Sequence, residues 1–385
     1  MLELPDQNGP MRVALIYNQK KEDATQQHES NESAEPPSSG GTQALILPTP
    51  VKPSINRSTD LYAEWDTADT INAVKYALGE LHQVSMIEAD EDAYYKLRND
   101  RPDIVFNITE GLYGCSRESQ IPAMLEMLQI PYTGSDPLTL AICLDKSRAK
   151  EILSYHHIPT PQFSLVSKIS ELDYVTARFP GIVKPLHEGS SKGIFNSSLV
   201  MNEHDLRREV TSVIEHYHEP ALIEEFLSGR EFTVAMLGNG DGLRVLPIVE
   251  IKFDSLPQGV NPIYSYEAKW IWDRSDNPLD IFECPAKLNP HLQHEIETIC
   301  RKAYTILRCR DWCRIDVRLD ADGKPHIIEL NPLPGILPNP EDNSCFPKAA
   351  RAAGVSYSRL IQSVLAYAAK RYHLLERESS FHPTF

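Results

Sequence analysis

The stretch Arg314-Ile-Asp316-Val-Arg318-Leu319 followed by His326-Ile-Ile-Glu329-Leu-Asn331 constrains the fold more than any other part of the sequence. Its apolar and polar residues alternate with the period of two that marks half-buried strands, and Asp322-Gly323 between the halves favours a two-residue turn. With that turn, Asp316 lies opposite Glu329 and Arg314 opposite Asn331. Ile315, Val317, Leu319, Ile328 and Leu330 then share the core face. Two carboxylates facing each other across a ladder repel, by about 4 kcal/mol at 4 Å with an effective dielectric near 20. A positive group must therefore sit between them. Mg²⁺ suits the oxygen donors of Asp316, Glu329 and Asn331, because it commonly joins one or two carboxylates to phosphate oxygens. An exposed hairpin whose carboxylates pair with Arg314 and Arg318 is the other arrangement open to this segment alone.

A chain of 385 residues exceeds the size of one compact core, and we expect units at 1–135, 136–227 and 228–385. With 41% hydrophobic and 24% charged residues, the composition is that of a globular protein. No apolar run is long enough to span a bilayer, and the first ten residues lack the basic start and apolar stretch of a signal peptide. The expected location is cytoplasmic, with no membrane partner. A net charge of −16 argues against a nucleic-acid partner, which calls for a clustered basic surface. It leaves nucleotide binding open, because phosphates are met locally by a few lysines and a metal. The seven cysteines are scattered and expected to be reduced. Cys309 and Cys313, four apart at an expected helix end, lack a second pair at zinc spacing. His291 and His294 read as a solvated helix start.

Along the chain, Arg12–Tyr17 reads as a parallel strand, followed by a polar, low-complexity stretch at 18–41 that cannot bury enough surface to order itself. A helix over 59–81, a strand over 84–87, a helix over 92–98 and a buried strand over 103–107 then alternate as in an α/β layer. Glu110 follows that last strand, at the end where sites form in open parallel sheets; a water-exposed carboxylate is the equally simple reading. Helical spacing predicts helices over 116–127 and 138–155. The strand Gly181–Pro185 carries Lys184 into His187-Glu188-Gly189-Ser190-Ser191-Lys192-Gly193, whose backbone N–H groups suit a phosphate chain. Leu222–Leu227 and Gly229–Val234 read as consecutive strands joined by a turn that could clamp an adenine, with Glu231 reaching a ribose.

Together these segments resemble the D-alanine–D-alanine ligase family of ATP-grasp enzymes. The resemblance is carried by Ile130-Pro-Tyr-Thr-Gly-Ser135, Asp145-Lys146, Val183-Lys-Pro185, Glu188-Gly-Ser-Ser191, Ile223-Glu224, Glu231-Phe-Thr-Val234, Tyr266-Glu-Ala-Lys269, Cys284-Pro285, Arg314-Ile-Asp316, Glu329-Leu-Asn331, Pro334-Gly335 and Phe346-Pro347. It implies an α/β protein of the ATP-grasp fold: a parallel α/β N-terminal part, a central α+β lid and a C-terminal α+β part with a mixed or antiparallel sheet. It also implies ATP and two Mg²⁺ ions, with Mn²⁺ as a substitute, and an amide bond formed from a small carboxylate and an amine through an acylphosphate. Lys146, Lys184, Glu188, Ser190 and Ser191 would meet the phosphates. Glu224, Phe226 and Leu227 would meet adenine and Glu231 ribose, while Asp316, Glu329 and Asn331 would hold the metals. Arg314, the N–H of Gly335, Lys269 and Ser190 would serve the chemistry. A homodimer is expected, as family members commonly form one.

The substrate side departs from the family pattern. Its early glycine-rich segment with a glutamate for the first substrate's amino group is missing, and 18–41 stands in its place. Thr109-Glu110-Gly111 replaces a histidine-glycine signature, and Trp270 replaces a lid tyrosine. Residues around 340–343 are additional before Ser344, which aligns with the serine for the second substrate's carboxylate. Glu110 and Trp270 are therefore expected to face a rebuilt pocket, with Trp270 as a flat apolar wall and Glu110 receiving an amine. D-alanyl-D-alanine formation is one candidate reaction, another dipeptide or conjugate a second, and a catalytically silent binding homologue a third.

Overall fold

The computed structural model describes residues 9–20, 62, 64–273 and 279–375; most of the 18–41 stretch and the first residues of the expected 59–81 helix lie outside them. A three-stranded parallel sheet is ordered β2-β1-β3, from β1 (Arg12–Tyr17), β2 (Gln83–Glu88) and β3 (Ile104–Ile108). All of β3 is buried, which is why it reads as an unbroken apolar run. Helix α1 spans Ala68–Gly79, and Thr67 caps it by accepting from Thr70 N–H, so the helix starts well after residue 59. Helix α2 covers Ala93–Asp100. Instead of one helix over 116–127, a 3₁₀ turn at Arg117–Ser119 leads into α3 (Gln120–Leu128), which ends where Gln129 turns left-handed.

The expected 138–155 helix is two helices, α4 (Pro137–Leu144) and α5 (Lys146–Tyr155). Asp145 leaves the helical conformation and its carboxylate accepts from Ser147 and Arg148 N–H, so it caps the second helix and redirects the chain. The apolar faces of α4 and α5 pack through Cys143, Ala149 and Leu153 against the C-terminal sheet. They therefore belong with that sheet's core, where the sequence reading had put them with the central unit.

Two further sheets enclose a cleft. The smaller is ordered β4-β7-β5-β6, from β4 (Phe163–Val166), β5 (Gly181–Pro185), β6 (Leu199–Val200) and β7 (Ala221–Glu225), and α6 (Glu203–Tyr217) covers it. The larger runs β11-β10-β8-β12-β13, from β8 (Glu231–Leu237), β10 (Val249–Ile251), β11 (Phe282–Glu283), β12 (Trp312–Leu319) and β13 (Pro325–Asn331), with β9 (Arg244–Val245) beside β8. Strands β7 and β8 do not pair; they belong to different sheets. The connector between them leaves one sheet as Phe226 N–H donates to Pro180 and joins the other as Gly229 N–H donates to Leu319. A Cβ on Gly229 would stand 2.7 Å from both Leu319 Cβ and its carbonyl oxygen, so this crossing requires glycine.

Helices α7 (Pro290–Ile306), α8 (Cys345–Ala352) and α9 (Tyr357–Arg371) complete the chain. One core joins β1, α1 and β3 to α8 and α9, with Val13, Leu78 and Phe106 in the same cluster as Phe346, Leu360 and Val364. The N-terminal α/β layer is thus packed onto the C-terminal unit. His291 is exposed at the start of α7, as expected. Among the described residues no helix is long and apolar enough to cross a membrane, and all seven cysteines are free.

Candidate active site

Strands β12 and β13 pair Asp316 with Glu329 and Arg314 with Asn331, as the alternation predicts, but by a different route. The turn is longer than two residues, since Leu319 pairs with Pro325 and Asp320 N–H donates to Lys324; a bulge at Ile328 then restores the register. Ile327 consequently takes the core position expected for Ile328 and is fully buried. Ile328 turns into the cleft. The bulge gives the site an apolar wall immediately beside its acids.

The cleft has a volume of about 270 Å³ and is lined from both antiparallel sheets. Lys184 from β5 lies 2.9 Å from Glu224 of β7, and Lys150 of α5 reaches the other oxygen of Glu224, also at 2.9 Å. The Glu224 carboxyl feels burial, which would raise it, but the two lysines prevail and hold it at about 2. Its side chain is thus a buried anchor for two cations. Lys150, four residues after Lys146, is a site residue the sequence reading missed; the spacing that stacks them on one face of a helix is the signal that could have found it. Lys146, aimed by the break at Asp145, donates to the carbonyl of Glu188 at 2.6 Å.

In the glycine-serine loop, Ser190 and Ser191 have φ of +51° and +60°. Successive left-handed residues are costly for serine and occur where a loop has a task other than chain reversal. Ser191 Oγ donates to Tyr264, and Trp270 Nε1 donates to the carbonyl of Ser190 at 3.0 Å. Trp270 therefore fastens the 267–272 turn over the loop, its ring lying 4.9 Å from the ammonium of Lys20 and 5.3 Å from that of Lys269. It lines the large cleft and not the smaller pocket described below, so it is no wall of the latter. Lys269 lines both, and burial followed by repulsion from Arg314 brings its ammonium down to about 8.

Gly193 ends the loop at φ +73°, where a Cβ would run into the ring of Pro185. Gly193→Ala is expected to cost about 1–3 kcal/mol, the usual range for forced backbone strain, read from the denaturant midpoint; an unchanged midpoint would show that the loop yields. At the loop's start, His187 sits 3.5 Å from Glu219 and 3.8 Å from Asp145. Burial would lower the imidazole, but these partners raise it to about 9. Ionised His187 therefore stabilises the fold fully below about pH 6.5, the ordinary histidine value, and its contribution disappears as pH rises through about 9. After solvent screening about 1 kcal/mol is expected. His187→Gln should flatten the fall in melting temperature between these pH values, and parallel curves for variant and parent would refute the assignment.

At the floor, Arg314 lies 2.9 Å from Asp316 and 3.7 Å from Glu329. Burial raises Asp316 despite Arg314, whereas Glu329, raised by burial alone, is carried down to about 2 by Lys146, Arg314 and Lys184. The amide of Asn331 bridges the carboxylates at 3.3 and 3.4 Å. Two hard carboxylates and an adjacent amide suit Mg²⁺. Glu231 is held at 2.7 Å by Arg318, whose guanidinium stacks on Phe226 at 4.5 Å, so two of the four residues expected at the nucleoside end are preset by an arginine. Leu227 lines the same end. Gly335 borders the floor, and Ser344 Oγ donates to its carbonyl at 3.1 Å.

A family model described as the D-ala D-ala ligase C-terminus matches residues 153–366, more than half of the chain. The chain belongs to the D-alanine–D-alanine ligase family. An uncharacterized protein, y4sG, of Sinorhizobium fredii is 35% identical, covering 83% of this chain and 94% of that protein. The D-alanine–D-alanine ligases of Bordetella petrii and Bordetella pertussis are 35% and 36% identical, covering 72% and 69% of this chain and 79% and 78% of theirs. A D-alanine–D-alanine ligase from Bacillus anthracis, solved in complex with ATP, superposes with a TM-score of 0.62 at 23% identity, covering 94% of this chain and 99% of that one. The fold is therefore ATP-grasp.

This family member carries an acidic pocket beside the cleft that its sequence disclosed only in part. A cavity of about 100 Å³ is lined by Glu64, Asp66, Glu110 and Glu118 together with Lys146, Lys269, Arg314, Glu329 and Gly335. Glu110 is thus neither water-exposed nor alone. Burial, then Glu118, Glu64 and Asp66, pushes it well above the usual carboxylate range. Glu64 and Asp66 sit just before α1. No motif marks them in the sequence, and only the fold brings them to Glu110 and Glu118. Glu64 bonds Arg117 at 2.7 Å and accepts from Gly189 N–H at 2.7 Å, tying this segment to the glycine-serine loop.

Proposed function

We propose that the protein is an ATP- and Mg²⁺-dependent carboxylate–amine ligase that forms an amide bond through an acylphosphate. The observation that carries this reading is the convergence, around the cleft and the pocket beside it, of Lys146, Lys184, the glycine-serine loop, the opposed Asp316 and Glu329, and Arg314. In this reading Lys146 and Lys184 hold the phosphate chain, and the amides of 189–191 turn toward it. Glu224 keeps Lys184 and Lys150 charged and fixed. The connector 226–230 edges the adenine and Glu231 receives the ribose. Asp316, Glu329 and Asn331 hold Mg²⁺, which when bound neutralises charge on the phosphate oxygens.

The substrate carboxylate oxygen attacks the γ-phosphorus and ADP leaves. The amine nitrogen then attacks the acyl carbon, and inorganic phosphate departs after a tetrahedral oxyanion that Arg314 and the N–H of Gly335 receive. Lys269 steadies the transferred phosphoryl group, and Ser344 lies at the second substrate's end. Trp270 and Ser190 close the lid over the loop, excluding water from the acylphosphate. The names of the Bordetella relatives favour D-alanyl-D-alanine synthesis as a narrower reading; the crowded acids of the pocket favour a different first substrate. Phosphate release from ATP and Mg²⁺, screened over carboxylate and amine pairs that include D-alanine, tests the proposal. No release with any pair, from folded protein that binds nucleotide, would replace it with a silent binding role.

A further inference from the structure

The small cavity is lined by more carboxylates than one amino group can answer. Of its carboxylates, Glu64 is engaged by Arg117 and Gly189, and Glu329 faces Arg314. The carboxylates of Asp66, Glu110 and Glu118 have no hydrogen bond or ion pair with any described residue, although all three line the cavity and are half-buried. Arg117, the cation nearest them in sequence, is turned away to Glu64, Glu188 and the carbonyl of His187. Lys146 is likewise turned to Glu188. Buried carboxylates that no described side chain pairs are costly: burial pushes Asp66 up to about 7, and burial followed by repulsion from Glu64 pushes Glu118 up to about 7.

The three acids come from two unconnected segments, residues 64–67 before α1 and 110–118 after β3. They line the same cavity as Lys269, Arg314 and Gly335. A ligand with one ammonium and one carboxylate would leave most of these carboxyl groups without a cation. A second ammonium would answer them, with the ligand's own carboxylate directed to Lys269, Arg314 and Gly335, where activation is proposed.

We propose that this pocket selects as first substrate a small diamino acid, whose second ammonium is received by Glu110 and Glu118 while Asp66 faces its α-amino group. The proposal rests on the ligase reading for the direction of the carboxylate. It makes Glu110 and Glu118 specificity-determining residues.

The test compares 2,4-diaminobutyrate with norvaline, its near-isostere with methyl in place of ammonium, in both enantiomers and near neutral pH. Phosphate release is measured with the full chain, ATP, Mg²⁺ and a panel of amine acceptors. The diamino acid should have a kcat/KM about 10- to 100-fold higher, as expected for a charge-assisted contact at a buried site. Glu110→Gln and Glu118→Gln should each erode that ratio by lowering only the value for the diamino acid. Equal or better use of norvaline, or an unchanged ratio in both folded variants, overturns the inference and leaves the ligase reading intact. If no pair releases phosphate, the ligase reading fails first. A rise in melting temperature of the ADP- and Mg²⁺-loaded protein with 2,4-diaminobutyrate, absent with norvaline and lost in Glu118→Gln, would still uphold the charge selection. No such rise ends it.

Discussion

Replacing Glu329 by Gln is expected to lower turnover on the order of 10³-fold, comparable to losing a group that meets charge developing in the transition state. The substitution keeps the side chain's shape and its acceptor for Asn331 while removing one of two carboxylates paired across β12 and β13. Because Lys146, Arg314 and Lys184 overcome burial to hold Glu329 ionised, the loss of its charge also costs some stability. A fall of a few degrees in melting temperature is expected, with cooperative unfolding retained. The decisive second measurement is the stabilisation by Mg²⁺ in the presence of ADP, which should shrink sharply in the variant. Near-normal turnover at saturating Mg²⁺ would remove Glu329 from the metal site.

Arg314→Ala should reduce kcat by about 10²–10³, the usual cost of one oxyanion donor, and leave the Michaelis constant for ATP nearly unchanged. The geometry adds a consequence that the motif alone does not contain. Arg314 contacts Asp316 at 2.9 Å and Glu329 at 3.7 Å, so its removal leaves two opposed carboxylates without their nearest cation. Alanine at 314 should therefore lower stability in metal-free buffer more than in the presence of Mg²⁺ and nucleotide. A variant whose only defect is a raised Michaelis constant for ATP would move Arg314 to ground-state binding.

How far the site could be read in advance differs from residue to residue. Asp316 opposite Glu329 followed from alternation and turn chemistry, yet it came out correctly because a longer turn and a bulge at Ile328 cancel. A bulge has no compositional mark in this hairpin, so the side to which Ile328 points was not legible. The break at Asp145 was available as a capping residue within a helical pattern, since Asp competes for backbone N–H groups. It was overridden by the continuity of apolar spacing on either side.

Local chemistry determined the kind of each element: the unbroken apolar run of β3, the alternation of β12 and β13, the lysine before a glycine-serine loop. These depend on neighbours a few residues apart, and the sequence contains them in full. The separate fates of β7 and β8 depended on long-range packing, as did the Lys150–Glu224–Lys184 group. So did the placement of α4 and α5 on the C-terminal sheet and the shared core of β1, α1, α8 and α9. The acidic pocket belongs to the same class. Glu64, Asp66, Glu110 and Glu118 come from separate segments, and each alone is an ordinary surface carboxylate. Only burial side by side makes them costly, and burial is a property of the packed chain, absent from any one stretch of it.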